Sequence, residues 1–114
     1  MRPLTEDERP LVAHLAALAG ITLDVASLHA QPMNDGGMGS LRFADDPAVR
    51  FGASVAEATF EDEDGVPVSA ALYVDEAGEP LELDVWKVDF SPLRRWPGAV
   101  TLRSVSARPH NSPL

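Results

Sequence analysis

The chain of 114 residues has no cysteine. That excludes disulfides, thiolate zinc sites and a cysteine nucleophile, and it fits a reducing cytosol. Lysine is nearly missing too: Lys87 stands alone against eight arginines, a bias that with the many alanines points to a GC-rich, bacterial genome. No apolar run approaches the roughly 20 residues of a membrane span. The nearest, Leu11 to Ile21, is too short and follows Glu6, Asp7 and Glu8, where a signal peptide would carry bases. A cytoplasmic protein with no membrane contact is the expectation. Internal repeats and low-complexity tracts are lacking. Acids stop at Asp89: residues 1–90 hold all 18 of them against five bases, a net −13, whereas residues 91–114 hold four arginines and no acid, a net +4. An acidic body argues against nucleic-acid binding, which needs clustered Lys and Arg. It suits a basic protein partner, or serves solubility alone.

What is present reads as one ordinary globular domain, 45% apolar and 24% charged. Thr5-Glu6-Asp7-Glu8 is a capping box, and Leu11, Val12, Leu15, Leu18 and Ala19 form a stripe at helical spacing. They predict a helix from about Glu6 to Ala19, closed by Gly20. Pro10 demands either a kinked first turn or a start near Pro10 itself. His14 lies off the stripe and is expected to face solvent. Beyond Ile21 the helical period disappears. Val25 to Met33 is extended, Asn34-Asp35-Gly36-Gly37 is a tight-hairpin signal, and Met38 to Ala44 returns. Phe51 to Glu61 alternates Ala56, Ala58 and Phe60 with Glu57, Thr59 and Glu61. Val66 to Val74 is the cleanest period-two run, and Leu81 to Phe90 follows a turn at Asp75 to Glu79.

These elements predict an α+β domain over residues 1–97: an N-terminal helix packed on a five-stranded antiparallel meander sheet, with the other sheet face partly open, or covered by the tail or a second copy. Residues 98–114 are expected to be an irregular Arg- and Pro-rich tail, mobile or adding a short edge strand at Val100 to Val105.

Catalytic and metal motifs do not emerge. An EF-hand reading of the acidic stretch Glu61 to Asp64 places Phe60 and Ala71 where ligands belong. Gly36-Gly37-Met38-Gly39 lacks the Lys-Ser/Thr ending and the helix of a phosphate loop. His14, His29 and His110 have no second ligand at i+4. His29 would form an acid–base pair with Asp84 or Asp89 only if strands brought them together. No serine sits in a nucleophile elbow. The expectation is no cofactor, no metal and no catalytic residue.

Leu81 to Phe90 is the most strand-like run, yet its alternation breaks in the middle. Leu81, Leu83 and Val85 share a face with Lys87 and Asp89; Glu82 and Asp84 share the other with Trp86, Val88 and Phe90. Either a bulge near Val85 or Trp86 restores one apolar face, or the two halves bury opposite faces. Lys87 is expected beside Asp84, Asp89 or acids of the neighbouring strand, Asp75 included, as a structural ion pair or as part of a Trp86-flanked patch that anchors a partner.

Met33-Asn34-Asp35-Gly36-Gly37-Met38-Gly39-Ser40-Leu41 and Glu82-Leu83-Asp84-Val85-Trp86-Lys87-Val88-Asp89-Phe90-Ser91-Pro92-Leu93 resemble a family of short bacterial proteins classified only as a domain of unknown function. The resemblance runs from Leu4 to about Pro97. It implies no catalytic residue and no cofactor, and it directs attention to Asn34, Asp35, Trp86, Lys87 and Asp89. Three functions follow as expectations. The first is a non-enzymatic module binding a basic protein, in the manner of an immunity protein, through Asn34, Asp35, Asp84, Trp86, Lys87 and Asp89. The second is a small enzyme or ligand binder using Asp84, Lys87 and Asp89, with or without His29. The third is a homodimer.

Overall fold

The computed structural model describes residues 1–98 and the backbone of 107–109. One helix, α1 (Arg9–Leu18), packs on an antiparallel sheet. From residues 1–98 come β1 (Arg2–Pro3), β2 (His29–Pro32), β3 (Leu41–Arg42), β4 (Phe51–Glu61), β5 (Pro67–Asp75) and β6 (Pro80–Lys87), and Ala107–Pro109 forms β7. Six strands, not five, thus arise before the tail. The extra one is β1, a two-residue segment that pairs with β2 and carries no alternation to betray it. The expected edge strand at Val100 to Val105 lies outside the described residues.

The alpha+beta expectation holds, but the sheet is not a simple meander. Its order is β1-β2-β3-β6-β5-β4-β7. The sheet contains two runs of consecutive antiparallel neighbours, β1-β2-β3 and β4-β5-β6, joined out of sequence. β3 pairs with β6, Leu41 opposite Leu83, so the chain crosses past two strands before β4 begins. Turn spacing records where a chain reverses, not which strand it reverses onto. The Asn34-to-Gly37 turn is also wider than a tight hairpin: β2 and β3 are joined by a loop over residues 33–40 closed by Met33 N–H donating to the Ser40 carbonyl, 2.9 Å.

Helix α1 starts at Arg9, so of the two expected starts the one near Pro10 holds and the one at Glu6 does not. The capping-box bonds form, Thr5 N–H to Glu8 Oε1 at 2.9 Å and Glu8 N–H to Thr5 Oγ1 at 3.3 Å, but they close a separate turn ahead of the α-helix. Pro10 then sits in the first helical turn, where its missing N–H costs nothing. The buried Glu8 carboxylate also receives both terminal nitrogens of Arg2, at 2.8 and 2.9 Å, tying β1 to the helix start. His14 is half-buried, not solvent-facing.

Leu11, Val12, Leu15 and Ala16 on the helix meet Ala56, Ala58, Phe60, Val68, Ala70 and Leu72 on β4 and β5. Small Ala56, Ala58 and Ala70 leave room for the helix to lie close. Leu83 and Val85 of β6 complete the core, and Leu93 and Trp96 pack against it from the segment after β6. The sheet face turned away from α1 carries the opposite parity: Glu57 and Thr59 on β4, Ser69, Ala71 and Tyr73 on β5, Glu82, Asp84 and Trp86 on β6, Arg42 on β3.

Candidate functional site

β6 ends with Lys87 on the core face, fully buried. No bulge lies at Val85 or Trp86. The pairing Ala71–Asp84, Ala70–Val85, Ser69–Trp86, Val68–Lys87 runs without interruption, and the register shifts occur instead in β4, after Phe51 and Ser54, and opposite Pro80. At the β4 shift Gly52 is required, since a Cβ there would collide with the Asp75 carbonyl. The alternation breaks because a lysine occupies an interior position, which leaves Trp86 and Phe90 outside, 47% and 68% exposed.

Lysine is tolerated there because each of its three donors is used. Nζ donates to Asp62 Oδ2 at 2.8 Å, Asp64 Oδ2 at 2.7 Å and the Pro92 carbonyl at 3.3 Å. Asp62 is itself buried, and it also accepts the backbone N–H groups of Glu63, Arg94 and Arg95. Burial pushes its carboxyl up, but Lys87 and those amides outweigh burial and bring it down to about 2. Burial likewise opposes the ammonium of Lys87, and Asp62 and Asp64 outweigh it, so its pKa is raised. The Arg94 guanidinium lies 3.4 Å from Asp64. Two acids face two bases with every strong donor on Lys87 satisfied, and the cluster ties the β4–β5 turn to the segment after β6.

That segment also receives the 33–40 loop. Gly37 accepts from Leu93 N–H at 3.0 Å, and Gly39, at φ 108°, lies where a Cβ would come within 3.1 Å of the Trp96 ring. Asp35 Oδ2 accepts from Ser40 N–H at 2.9 Å, and amides of this loop hold its carboxyl below the usual range although burial opposes them. The Ser40 hydroxyl accepts from Val85 N–H at 2.9 Å, replacing a ladder bond between β3 and β6.

The six residues singled out from the sequence therefore separate. Asn34 is exposed and Asp35 closes its own loop. Asp89 is exposed and caps a turn through Ser91 N–H and Oγ, at 3.0 and 2.6 Å. Lys87 points into the core, with Asp62 and Asp64 as partners rather than Asp84, Asp89 or Asp75. His29 is exposed and holds the Ser27 carbonyl at 3.1 Å. Asp84, Lys87 and Asp89 do not converge on one site, because residues 84 and 87 have opposite parity on one strand and Asp89 lies past its end.

Asp84 and Trp86 do share the open face, and they have company there. In cross-strand rows, Ala71 lies between Glu57 and Asp84, Ser69 lies between Thr59 and Trp86, and Tyr73 lies between Ser54 and Glu82. The short side chains of Ala71 and Ser69 thus separate flanking groups whose strands are about 10 Å apart. Tyr73 Oη donates to Asp84 Oδ2 at 3.4 Å, and Phe51 packs edge-on to its ring. Burial, then the charges of Asp84, Glu82 and Glu57, raise the Tyr73 phenol above its ordinary value. Burial and Asp84 also raise the Glu82 carboxyl, opposed by Arg42, whose guanidinium lies 3.7 Å from it. Trp86 and Phe90 stack at a tilt with centroids 6.1 Å apart, beside exposed Val88. Glu57, Glu82 and Tyr73 were missed from sequence. Strand parity holds the signal for all three, once β4, β5 and β6 are known to be neighbours.

The family of the domain of unknown function DUF6984 matches residues 1–97, and the chain belongs to it. No curated protein and no solved structure matches the chain. The matched span includes both sequence blocks, the Lys87 cluster and the open face, and it stops at Pro97, ahead of β7. Among the described residues no helix is long and apolar enough to cross a membrane.

Proposed function

We propose that the domain is a non-enzymatic protein-binding module whose open sheet face receives a basic segment of a protein partner. The observation that carries this reading is the row Glu57–Ala71–Asp84 next to the row containing Trp86. A cationic side chain lying over Ala71 meets a carboxylate on either side. An apolar neighbour of that side chain meets Trp86 and Phe90, and Arg on an aromatic face adds a further attraction. The acidic body steers a basic partner toward this face. Self-association through it is disfavoured, since it would set Glu57, Glu82 and Asp84 of two copies against each other. Cysteine-free composition supports a cytosolic setting, and blocking a basic toxin in the manner of an immunity protein fits these properties.

The test is affinity capture from the native host with the wild type, Glu57→Gln/Asp84→Asn and Trp86→Ala. A basic protein retained stoichiometrically by the wild type at low salt, released by high salt and lost from both variants is the expected result. A wild type that retains no stoichiometric partner at low salt sinks the reading, as do variants that hold the partner equally well.

A further inference from the structure

We infer that Lys87 is a gated acylation site: it takes an acyl group from a thioester only when the segment after β6 has lifted away, and the acylated chain cannot close over it again. Lys87 is the single lysine among the 114 residues, so chemistry directed at lysine side chains has one target in the chain. In the closed structure that target is withheld. The side chain has no exposed surface, and Nζ donates to Asp62 Oδ2, Asp64 Oδ2 and the Pro92 carbonyl, which uses all three of its N–H groups. Acyl transfer needs a neutral amine with its lone pair facing the acyl carbon. Two carboxylates, at 2.8 and 2.7 Å, hold this one as an ammonium, and burial leaves no approach to it.

The gate is thin. Asp64 is 19% exposed and Arg94 61%, so Nζ lies one side chain below the surface. Residues 88–96 form no strand or helix. They are held by Arg94 and Arg95 N–H on the Asp62 carboxylate, by Leu93 N–H on the Gly37 carbonyl, and by packing of Leu93 and Trp96 on the core. None of these bonds belongs to the β4-β5-β6 ladder. The segment can therefore lift while those strands stay paired, the kind of partial opening from which buried groups react. Once it lifts, Nζ releases a proton to water and its lone pair attacks the thioester carbon. The C–N bond forms, the C–S bond breaks, and the thiolate leaves with the second amine proton, giving one amide and one thiol. The acylated nitrogen has a single N–H and no charge. On closing, Asp62 would be buried without its cation, and the acyl group would need room at a position that is already filled. A transient opening is thereby recorded covalently.

The test exposes the full chain to the acetyl thioester of N-acetylcysteamine at pH 8 and follows each amine by peptide mass spectrometry. The exposed Met1 α-amine is the internal reference. Relative to Met1, Lys87 is expected to acetylate at least about 100-fold more slowly in the native chain than in guanidinium chloride, as for a state open about 1% of the time or less. Leu93→Ala weakens the hold on the segment, keeps both carboxylates, and should speed the reaction at least about tenfold. If that variant does not fold, wild type in sub-denaturing guanidinium chloride gives the same comparison. Chain acetylated at both amines in denaturant and returned to buffer should either fail to refold or show Arg94 and Arg95 amide exchange at least about tenfold faster than chain acetylated at Met1 alone. Native acetylation of Lys87 at the denatured rate overturns the inference. So does a Lys87 rate unmoved by loosening the segment, and so do Arg94 and Arg95 amides that stay protected after acetylation.

Discussion

Two charged clusters lie on the two sides of the same strand, and they are built on different terms. Lys87 points inward at the end of β6 and meets Asp62 and Asp64, with Arg94 outside them; acids and bases balance, and the buried carboxylate is saturated by backbone amides. Three residues earlier Asp84 points outward, bonds Tyr73 and shares its face with Glu57 and Glu82, with Arg42 as the one base in the group. The inner cluster is complete. In the outer one burial, and then the neighbouring acids, raise the pKa of Tyr73 and Glu82. A saturated cluster marks structure, and an unbalanced one next to exposed aromatics marks a surface that gains from a cation.

The sharpest way to break this contrast is Lys87→Met. It leaves Asp62 as an uncompensated interior charge, for an expected loss of about 3–5 kcal/mol in urea unfolding. A loss below 1 kcal/mol would show that the inner cluster is not structural. Asp62→Asn comes next. It keeps Asp64 for Lys87 but gives up charge-assisted bonds to Arg94 and Arg95, for an expected loss of about 1–3 kcal/mol. It also changes the acid limb. The Asp62 carboxyl is depressed to about 2, so its contribution is present in full above the ordinary carboxylate range near pH 4 and is lost as pH falls toward 2. The wild type should therefore lose stability over that window, and Asp62→Asn should be flatter across it in pH-dependent urea melts.

On the open face the same kinds of change should barely register in stability. Trp86→Ala is expected to alter unfolding free energy by no more than about 0.5 kcal/mol, because the ring is half in water, while abolishing partner capture. The smallest effect is spectroscopic. Tyr73 is the single tyrosine of the chain, so phenolate absorbance reports it alone. Its midpoint should lie above that of a free phenol in the wild type and fall in Asp84→Asn. An unchanged midpoint would show that the acids of this face do not act on one another.

Much of the architecture was legible because it is written in local periods. The capping box, the stripe from Leu11 to Leu18, the alternation of Val68, Ala70 and Leu72, and the turns at 62–65 and 75–79 all reappear in the structure. Strand order was not legible, because nothing in residues 41–42 announces that their partner is Leu83 rather than β4. The candidate site failed at the same point. The structural ion pair expected at Lys87 is present, but its partners come from the turn between β4 and β5, brought to it by the Val68–Lys87 register. The broken alternation of β6 was a real signal with the wrong cause attached: an interior lysine produces the same pattern as a bulge. Glu57, Glu82 and Tyr73 were visible as outward positions of separate strands, but only the pairing turns three lists of outward residues into one face.

The crossing between β3 and β4 has a consequence for how the chain comes to fold. β4, β5 and β6 are linked by short turns and can assemble early from near neighbours, whereas the β1-β2-β3 group cannot join them until β6 is present, because Leu41 must find Leu83. During synthesis the β1-β2-β3 group can therefore join the rest of the sheet only after residues up to Lys87 have emerged, whereas α1 has its seat as soon as β4 and β5 are present. The same residue that completes the last strand of the hairpin series then recruits Asp62 and Asp64 and draws in the segment that packs on the 33–40 loop. On this view Lys87 is the late step that joins the two halves, and its loss should mainly speed unfolding and leave refolding little changed.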